Sequence, residues 1–290
     1  MTGRFKGTFV RSITGIVFIT IMVGSMFLSP VAFGAVMTIA IVFMMAEYMM
    51  IAVDVKLSLT KILTIIAGIM LYVLFFLYKA YGIDAKWLYL LTIPFASIFV
   101  SLLCYRDNSK SDGTATDPEV YNRHPYLLTS LIYIALPFSM TSLILFDSDL
   151  NYRPLTLLSL FIILWTSDVG AYTFGMLFGQ KNGHKLCPSI SPKKSWEGFF
   201  GGIFCGLVAG IVVWILSLTG FSLTHNIIIA LIISLAGAAG DLVESQFKRN
   251  FGAKDSGKLL PGHGGLLDRF DAALIAFPLA ITYIKLFSLI

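Results

Sequence analysis

Charged breaks divide this sequence into nine apolar runs of about 20 residues, which is the length that an α-helix needs to cross roughly 30 Å of hydrocarbon. The runs cover residues 12–28, 31–51, 60–78, 87–104, 127–146, 155–178, 199–218, 226–247 and 270–289. Only 13% of the 290 residues are charged and 57% are hydrophobic, whereas soluble domains carry about 25% charged residues. The sequence therefore predicts an all-α polytopic integral membrane protein with about nine transmembrane helices.

The distribution of lysine and arginine predicts the orientation of these helices, because basic residues are retained on the cytoplasmic side. With the N-terminus in the cytoplasm, the 21 lysines and arginines all fall in inside segments except Lys79, Lys86, Arg153 and Lys285. The first run is expected to be an uncleaved helix, since "GSMFLSP" lacks a small-x-small cleavage site. We expect an N-terminal region, residues 1–150, with about five spans, and a C-terminal region, residues 151–290, with about four spans and cytoplasmic loops.

Two hydrophilic segments precede the last cytoplasmic loop. Residues 105–125 mix both charge signs with glycine and proline, which favours a solvated loop; a substrate lid is the alternative. In "GQKNGHKLCPSISPKKSWEG" (residues 179–198), lysines alternate with serine, glycine and proline, a chemistry that presents ammonium groups and backbone N–H to phosphate oxygens. Retention of basic residues on the inner side explains these lysines equally well.

Acidic residues occur where they are costly or clustered. Asp168 lies in the middle of the sixth run, where a carboxylate costs roughly 2.5–3.5 kcal/mol on insertion scales and so indicates a functional role. Asp241 and Glu244 lie three residues apart on one helix face, and Asp268 and Asp271 repeat that spacing where the ninth run begins. Carboxylates beside lysines and glycines suit Mg²⁺ or another divalent cation, and a second metal ion is an open alternative. The competing interpretation is that Asp268 and Asp271 cap a helix N-terminus, where negative charge is favoured.

The last cytoplasmic loop, "KDSGKLLPGHGGLLDRFDA" (residues 254–272), completes a block of fixed spacing in rare residue types. The block consists of Ser245, Phe247, Lys248, Arg249, Lys254, Asp255, Gly257, Leu260, Pro261, His263, Gly264, Gly265, Leu266, Asp268, Arg269, Phe270 and Asp271. In these residues the chain resembles the phosphatidate cytidylyltransferase (CDP-diacylglycerol synthase) family. "SDVGAYTFG", "ISPKKSWEG" and "GDLVES" are similar to other blocks of that family. The resemblance is specific over about residues 165–271, and the first 150 residues match only in being apolar helices.

The resemblance implies a reaction in which a phosphate oxygen of phosphatidate attacks the α-phosphorus of CTP, giving CDP-diacylglycerol and pyrophosphate. It also implies a homodimer. Expected partners are therefore CTP, phosphatidate and the lipid bilayer, with no nucleic acid. The expected location is the inner (plasma) membrane with the active site facing the cytoplasm, where cytosolic CTP and the lipid head group can meet.

Roles follow from the charge pattern and from the matched positions together. The candidate catalytic residues are Asp241, Asp268, Lys248, Arg269 and His263. The candidate substrate-binding residues are Asp168, Ser191, Lys193, Lys194, Ser245, Arg249, Lys254, Lys258, Gly264 and Gly265. Asp241 and Asp268 are the candidate metal ligands, with Glu244 and Asp271 as further candidates. His263 is open between donating to phosphate and bonding to the loop backbone.

Two other functions compete with this interpretation. A secondary transporter also has many spans and intramembrane acid, but its ligand residues should lie near the midplane. A CTP-dependent lipid-alcohol kinase would transfer the γ-phosphoryl group, and the complete "HGGLLDRFD" block favours the cytidylyltransferase over it. The products separate the three: pyrophosphate from the first enzyme, CDP from the kinase, and neither from a transporter.

Overall fold

The computed structural model of the chain describes residues 2–53, 58–103, 122–179, 183–262 and 264–290. Its helices are α1 (Thr2–Leu28), α2 (Pro30–Ala52), α3 (Ser58–Tyr81), α4 (Thr92–Leu103), α5 (Pro125–Leu145), α6 (Pro154–Phe178), α7 (Trp196–Ile215), α8 (Leu223–Asn250), α9 (Leu267–Phe270) and α10 (Ala273–Leu286). A 3₁₀ segment, Ala85–Leu91, leads into α4, and α5 has a π-helical centre at Leu131–Ala135. The two strands are β1 (Lys185–Cys187) and β2 (Ser191–Ser195). The protein is mostly helical, as the apolar runs predict, with one small hairpin.

Six of the helices in the described residues are long and apolar enough to cross a membrane: α2, α3, α5, α6, α7 and α8. The first and fourth predicted runs coincide with the shorter apolar helices Ile13–Leu28 and Ala85–Ser101. The ninth run contains α10, which has 14 residues. The protein is therefore a helical membrane protein with six candidate spans in the part of the chain described. The count of nine spans and the cytoplasmic N-terminus stay predictions.

Serine caps specify where several of the long helices begin. Ser29 Oγ accepts a hydrogen bond from the backbone N–H of Ala32 (3.0 Å), and Pro30 follows it at the first helical position of α2. Ser195 caps α7 in the same way by accepting from Gly198 N (3.2 Å). Such caps satisfy backbone donors that have no partner inside the helix. Because Ser195 also ends β2, the hairpin runs directly into α7.

The chain divides into two compact units. The first unit comprises Met1–Ser142 and Asp255–Asp268, and the second comprises Leu143–Lys254 and Arg269–Ile290. The segment that follows α8 therefore belongs to the unit of the N-terminal helices.

In the first unit, α2 packs against α1, α3 and the start of α5. Close approach depends on a small residue, since a Cβ added at Gly68 of α3 would collide with Met45 of α2. A hydrogen bond from Ser101 Oγ to Thr60 Oγ1 (3.1 Å) joins α4 to α3. Thr14 Oγ1 of α1 donates to the carbonyl oxygen of Pro261 (3.1 Å), so the segment 255–268 also contacts the helices of this unit.

The second unit is built on one face of α7 that carries glycine at every fourth position: Gly198, Gly202, Gly206 and Gly210. A Cβ added at Gly198 would lie 2.7 Å from the carbonyl oxygen of Ala171 on α6, and one added at Gly206 would collide with Ser234 on α8. Glycines at this spacing let transmembrane helices approach backbone to backbone. The glycine face therefore holds α6 and α8 against α7, and it positions the acidic residues that α6 and α8 carry.

Candidate functional site

Four carboxylates from three segments of the second unit lie within range of direct electrostatic interaction. Asp168 of α6 interacts with Asp241 of α8, and Asp271, which precedes α10, interacts with Asp168, Asp241 and Glu244. Tight backbone packing brings two of the segments together, because a Cβ added at Gly240 would lie 2.7 Å from the carbonyl oxygen of Asp271. Like charges at such a site disfavour one another unless cations accompany them. We call these four residues the acidic cluster.

Cationic side chains accompany the acidic cluster. Lys194 Nζ lies 2.7 Å from Asp241 Oδ2, and both Lys194 and Arg269 interact electrostatically with Asp168. Ser245 Oγ donates a hydrogen bond to Asp241 Oδ1 (3.3 Å), one turn further along α8. Asp241 is thus held by a lysine and a serine while its side chain keeps 42% of its surface exposed. That exposure leaves the carboxylate accessible to a ligand.

The buried end of the acidic cluster is neutralised within α8. Glu244 is fully buried, and Lys248, one turn later, forms an ion pair with it. A buried carboxylate without a partner would be strongly destabilising, so the pair makes this position tolerable. Only 10% of the Lys248 side chain is exposed. A contact between Lys248 and substrate phosphate stays a prediction.

The hairpin β1–β2 holds Lys194 in place. The strands pair antiparallel, and two hydrogen bonds tie His184, just before β1, to the first turn of α7. His184 N donates to the side-chain oxygen Glu197 Oε1 (3.0 Å), and Trp196 N donates to the His184 carbonyl oxygen (2.9 Å). Neighbouring residues of a strand point to opposite faces. Lys194 accordingly reaches Asp241, whereas Lys193 is exposed.

We call residues 256–268 of the first unit the glycine-rich loop. Its last residue, Asp268, binds backbone groups from earlier in the loop. Asp268 Oδ2 accepts hydrogen bonds from the backbone N–H groups of Ser256 (3.0 Å) and Gly265 (2.8 Å). Gly264 lies close to the same carboxylate with a φ of 84°, a backbone conformation that favours glycine. The two carboxylate oxygens together offer about four lone-pair sites, and Oδ2 accepts both of these bonds, so the remaining acceptor capacity for a cation lies on Oδ1.

A second carboxylate, Glu47 of α2, also binds this loop. It accepts hydrogen bonds from Leu266 N (3.0 Å), Leu267 N (2.8 Å) and Ser256 Oγ (3.2 Å), and it is 4% exposed. Sequence reasoning missed Glu47. The available signal was the same as for Asp168, since Glu47 is the one charged residue in the apolar run that forms α2.

The chain matches the model of the family described as "Cytidylyltransferase family" over residues 9–287. The chain belongs to the cytidylyltransferase family.

Two relatives of known name come from Staphylococcus species. The chain is 39% identical over 157 residues to a protein named phosphatidate cytidylyltransferase from Staphylococcus saprophyticus, an alignment that covers 53% of this chain and 56% of the relative. It is 45% identical over 121 residues to the protein of the same name from Staphylococcus aureus (strain COL), which covers 41% of this chain and 45% of the relative. The chain thus spans about half the length of the curated relatives that it matches.

The structure places the predicted site residues of this cytidylyltransferase family member in both units. In the second unit, the acidic cluster (Asp168, Asp241, Glu244 and Asp271) lies with Lys194, Ser245, Lys248 and Arg269. The glycine-rich loop of the first unit carries Lys258, Gly264, Gly265 and Asp268. Ser191 starts β2, Arg249 donates to the carbonyl oxygen of Ala253 (3.0 Å), and Lys254 is exposed. His263 and most of the loop 105–125 lie outside the described residues.

The donor chemistry of the acidic cluster fits a hard divalent cation. Among the described residues, no group of three or more His, Cys, Asp or Glu side chains converges as a complete metal site. Mg²⁺ does not need such a cage, because it typically binds through one or two carboxylates, waters and substrate phosphates. Asp241 and Asp271 are neighbouring carboxylates of this kind, and both residues keep part of their surface exposed. A metal site completed by the substrate is consistent with these residues.

Proposed function

We propose that the chain is a phosphatidate cytidylyltransferase that converts CTP and phosphatidate to CDP-diacylglycerol and pyrophosphate. A phosphate oxygen of phosphatidate forms a bond to the α-phosphorus of CTP, and the bond from that phosphorus to the oxygen bridging to the β-phosphate breaks. Pyrophosphate leaves with the electron pair. The names of the Staphylococcus relatives and the family membership support this choice of substrates.

The observation that carries the proposal is the acidic cluster with its cations. Transfer between phosphates needs charge neutralisation and alignment more than covalent help from the protein. Lys194 and Arg269 offer positive charge to phosphate oxygens beside the carboxylates of Asp168 and Asp241. The attacking phosphate is already an oxyanion, so the protein does not need a general base to activate it.

Asp241, together with Asp268 or Asp271, would hold the divalent cation. When bound, Mg²⁺ neutralises charge that develops on the phosphate oxygens. Lys194, which pairs with Asp241, would offer its ammonium group to the triphosphate. Lys258 and the backbone of Gly264 and Gly265 extend the phosphate-binding surface on the glycine-rich loop.

The proposed site faces the cytoplasm at the inner membrane. The bias of lysine and arginine supports this orientation, since the hairpin and the glycine-rich loop both fall in segments rich in basic residues. CTP is cytosolic, and phosphatidate presents its head group at the membrane surface. Both substrates reach such a site without crossing the hydrocarbon.

The test is direct product identification. Purified full-length protein in detergent is incubated with CTP labelled at the α-phosphorus, phosphatidate and Mg²⁺. We expect label in a lipid and one pyrophosphate released per labelled lipid. Diacylglycerol, which lacks the attacking phosphate, is the matched substrate control and should give no product. In a parallel reaction with CTP labelled at the γ-phosphorus, release of CDP with transfer of label to lipid would indicate a kinase instead. The absence of labelled lipid from the α-labelled CTP would refute the proposal.

A further inference from the structure

Glu47 is a buried carboxylate that accepts hydrogen bonds from three donors of the glycine-rich loop. Its Oε1 accepts from Leu266 N, and its Oε2 accepts from Leu267 N and Ser256 Oγ. The donors are separated from Glu47 by more than 200 residues in sequence. Glu47 therefore contributes a specific attachment for a distant loop.

The two backbone donors are groups that need such a partner. α9 begins at Leu267, and the first N–H groups of a helix have no acceptor within it. Leu266 and Leu267 are themselves buried, so water is a poor substitute for the missing acceptor. An anionic acceptor at a helix start is favourable for both hydrogen bonding and charge.

Glycines in the loop fit around the Glu47 side chain. A Cβ added at Gly257 would lie 2.5 Å from Glu47 Oε1, and one added at Gly265 would lie 2.6 Å from Oε2. At both glycines the loop backbone lies so close to the Glu47 carboxylate that a side chain on the loop would collide with it. This close fit gives two of the glycines in the family block a role in docking the loop, separate from any role in approaching phosphate.

We infer that Glu47 is a positioning residue for the proposed cytidylyl transfer, acting through the glycine-rich loop. Glu47 fixes Ser256, Leu266 and Leu267 from outside the loop, and Asp268 fixes Ser256 and Gly265 from inside it. Ser256 contacts both carboxylates, through its hydroxyl and its backbone N–H respectively. Together they hold one conformation in which Asp268 and Lys258 are presented to the substrates.

Glu47→Gln tests the inference because it keeps size but cannot accept hydrogen bonds at both positions. The NH2 group of the glutamine then faces a backbone N–H, which has lost its acceptor. We therefore expect hydrogen–deuterium exchange in peptides covering residues 256–268 to accelerate by about tenfold. Peptides from α8 should exchange as in the wild type. Thr38→Ala is the matched control, because it also removes a side-chain hydrogen bond from α2, but that bond is to Gly34 of the same helix.

The kinetic readout separates positioning from folding. For Glu47→Gln we expect kcat to fall by about tenfold while the KM for CTP changes by less than about threefold, because a misplaced loop weakens transition-state contacts more than ground-state binding. Thr38→Ala should retain both constants. Unchanged loop exchange, or acceleration that is uniform across the protein, would overturn the inference.

Ser256→Ala keeps the inference testable if Glu47→Gln does not assemble. It removes one of the three donors to Glu47 and leaves both backbone bonds, so loop exchange should rise by a smaller factor, about threefold. No change in this variant would contradict the attachment. The kinetic arm rests on the proposed function, whereas the exchange arm is measured without substrates. A wild type that makes no CDP-diacylglycerol would therefore refute the function and leave the exchange result to decide the role of Glu47.

Discussion

The ammonium nitrogen of Lys194 lies 2.7 Å from a carboxylate oxygen of Asp241, so the hairpin strand β2 and helix α8 meet through an ion pair. The side chains are 24% and 42% exposed. Partly exposed pairs of this kind add about 0–1 kcal/mol to stability. The ion pair therefore contributes little to the stability of the fold. Its position beside Asp168 and Arg269 suits the binding of charged phosphate groups.

Lys194→Ala should therefore impair turnover without impairing the fold. We expect kcat/KM to fall by at least about tenfold, equivalent to roughly 1.4 kcal/mol of transition-state stabilisation. Lys193→Ala, at the exposed neighbouring position, should also lose about tenfold if both lysines contact phosphate. Lys86→Ala, outside the proposed site, is the matched control and should keep full activity. Full activity in both hairpin variants would mean that these lysines serve orientation alone.

The glycine face of α7 should tolerate no side chain at Gly198, where it meets the backbone of α6. In Gly198→Ala, the new Cβ would lie 2.7 Å from one backbone oxygen and 3.2 Å from the Gly175 Cα, neither of which can rotate away. We expect a loss of about 1–3 kcal/mol through overpacking, seen as a lower unfolding temperature in detergent. Gly24→Ala is the control, because a Cβ there meets nothing within 4 Å and alanine favours helix. Equal stability of the two variants would contradict tight packing.

Much of the helical architecture could be predicted because the length of an apolar run is enough to indicate a membrane helix. Each of the nine runs contains helix, and Asp168 lies with Asp241 in the acidic cluster. The hairpin was not predicted, since prolines and lysines in residues 185–195 give no strand periodicity. Glu47 was missed for a different reason: its partners are distant in sequence, and no local pattern reports which loop a buried acid will bind.

The predicted orientation can be tested by thiol labelling in a cysteine-free background. Leu259 lies in the glycine-rich loop and Asp149 in the connection between α5 and α6, and both are exposed. With a cytoplasmic N-terminus and nine spans, Leu259→Cys should react with a membrane-impermeant reagent only from the inside and Asp149→Cys only from the outside. Labelling of both from one side would require an even number of spans between them instead of the predicted three.

Asp168→Asn should separate a functional acid from a structural one. Asp168 interacts with Asp241, Lys194 and Arg269, and its side chain is exposed, so the amide should be tolerated by packing. We expect normal assembly and unfolding temperature with at least about tenfold lower turnover, because the variant removes charge from the cluster that positions the substrates. A variant that fails to assemble would instead indicate that Asp168 holds the helices together.

The last prediction concerns Asp241 and Asp268, the two proposed ligands of one divalent cation. An amide retains the shape of the carboxylate but lacks its charge, so Asp241→Asn and Asp268→Asn should each lower turnover by more than about a hundredfold, or roughly 2.7 kcal/mol. Wild-type activity should vanish with EDTA and return with Mg²⁺. Because two ligands of one ion act as a unit, the double variant should be scarcely worse than either single variant.

Hydrogen exchange distinguishes this shared metal site from a purely structural role for Asp268. Asp268 accepts from Ser256 N and Gly265 N, so its amide variant should accelerate exchange in the glycine-rich loop, whereas Asp241→Asn should leave the loop unchanged. If Asp268 is a metal ligand, its replacement must also raise the Mg²⁺ concentration that is needed for half-maximal activity. If Asp268→Asn loosens the loop but keeps the wild-type Mg²⁺ requirement, Asp268 organises the loop and the cation is held by Asp241 with another carboxylate, for which Asp271 of the acidic cluster is a candidate.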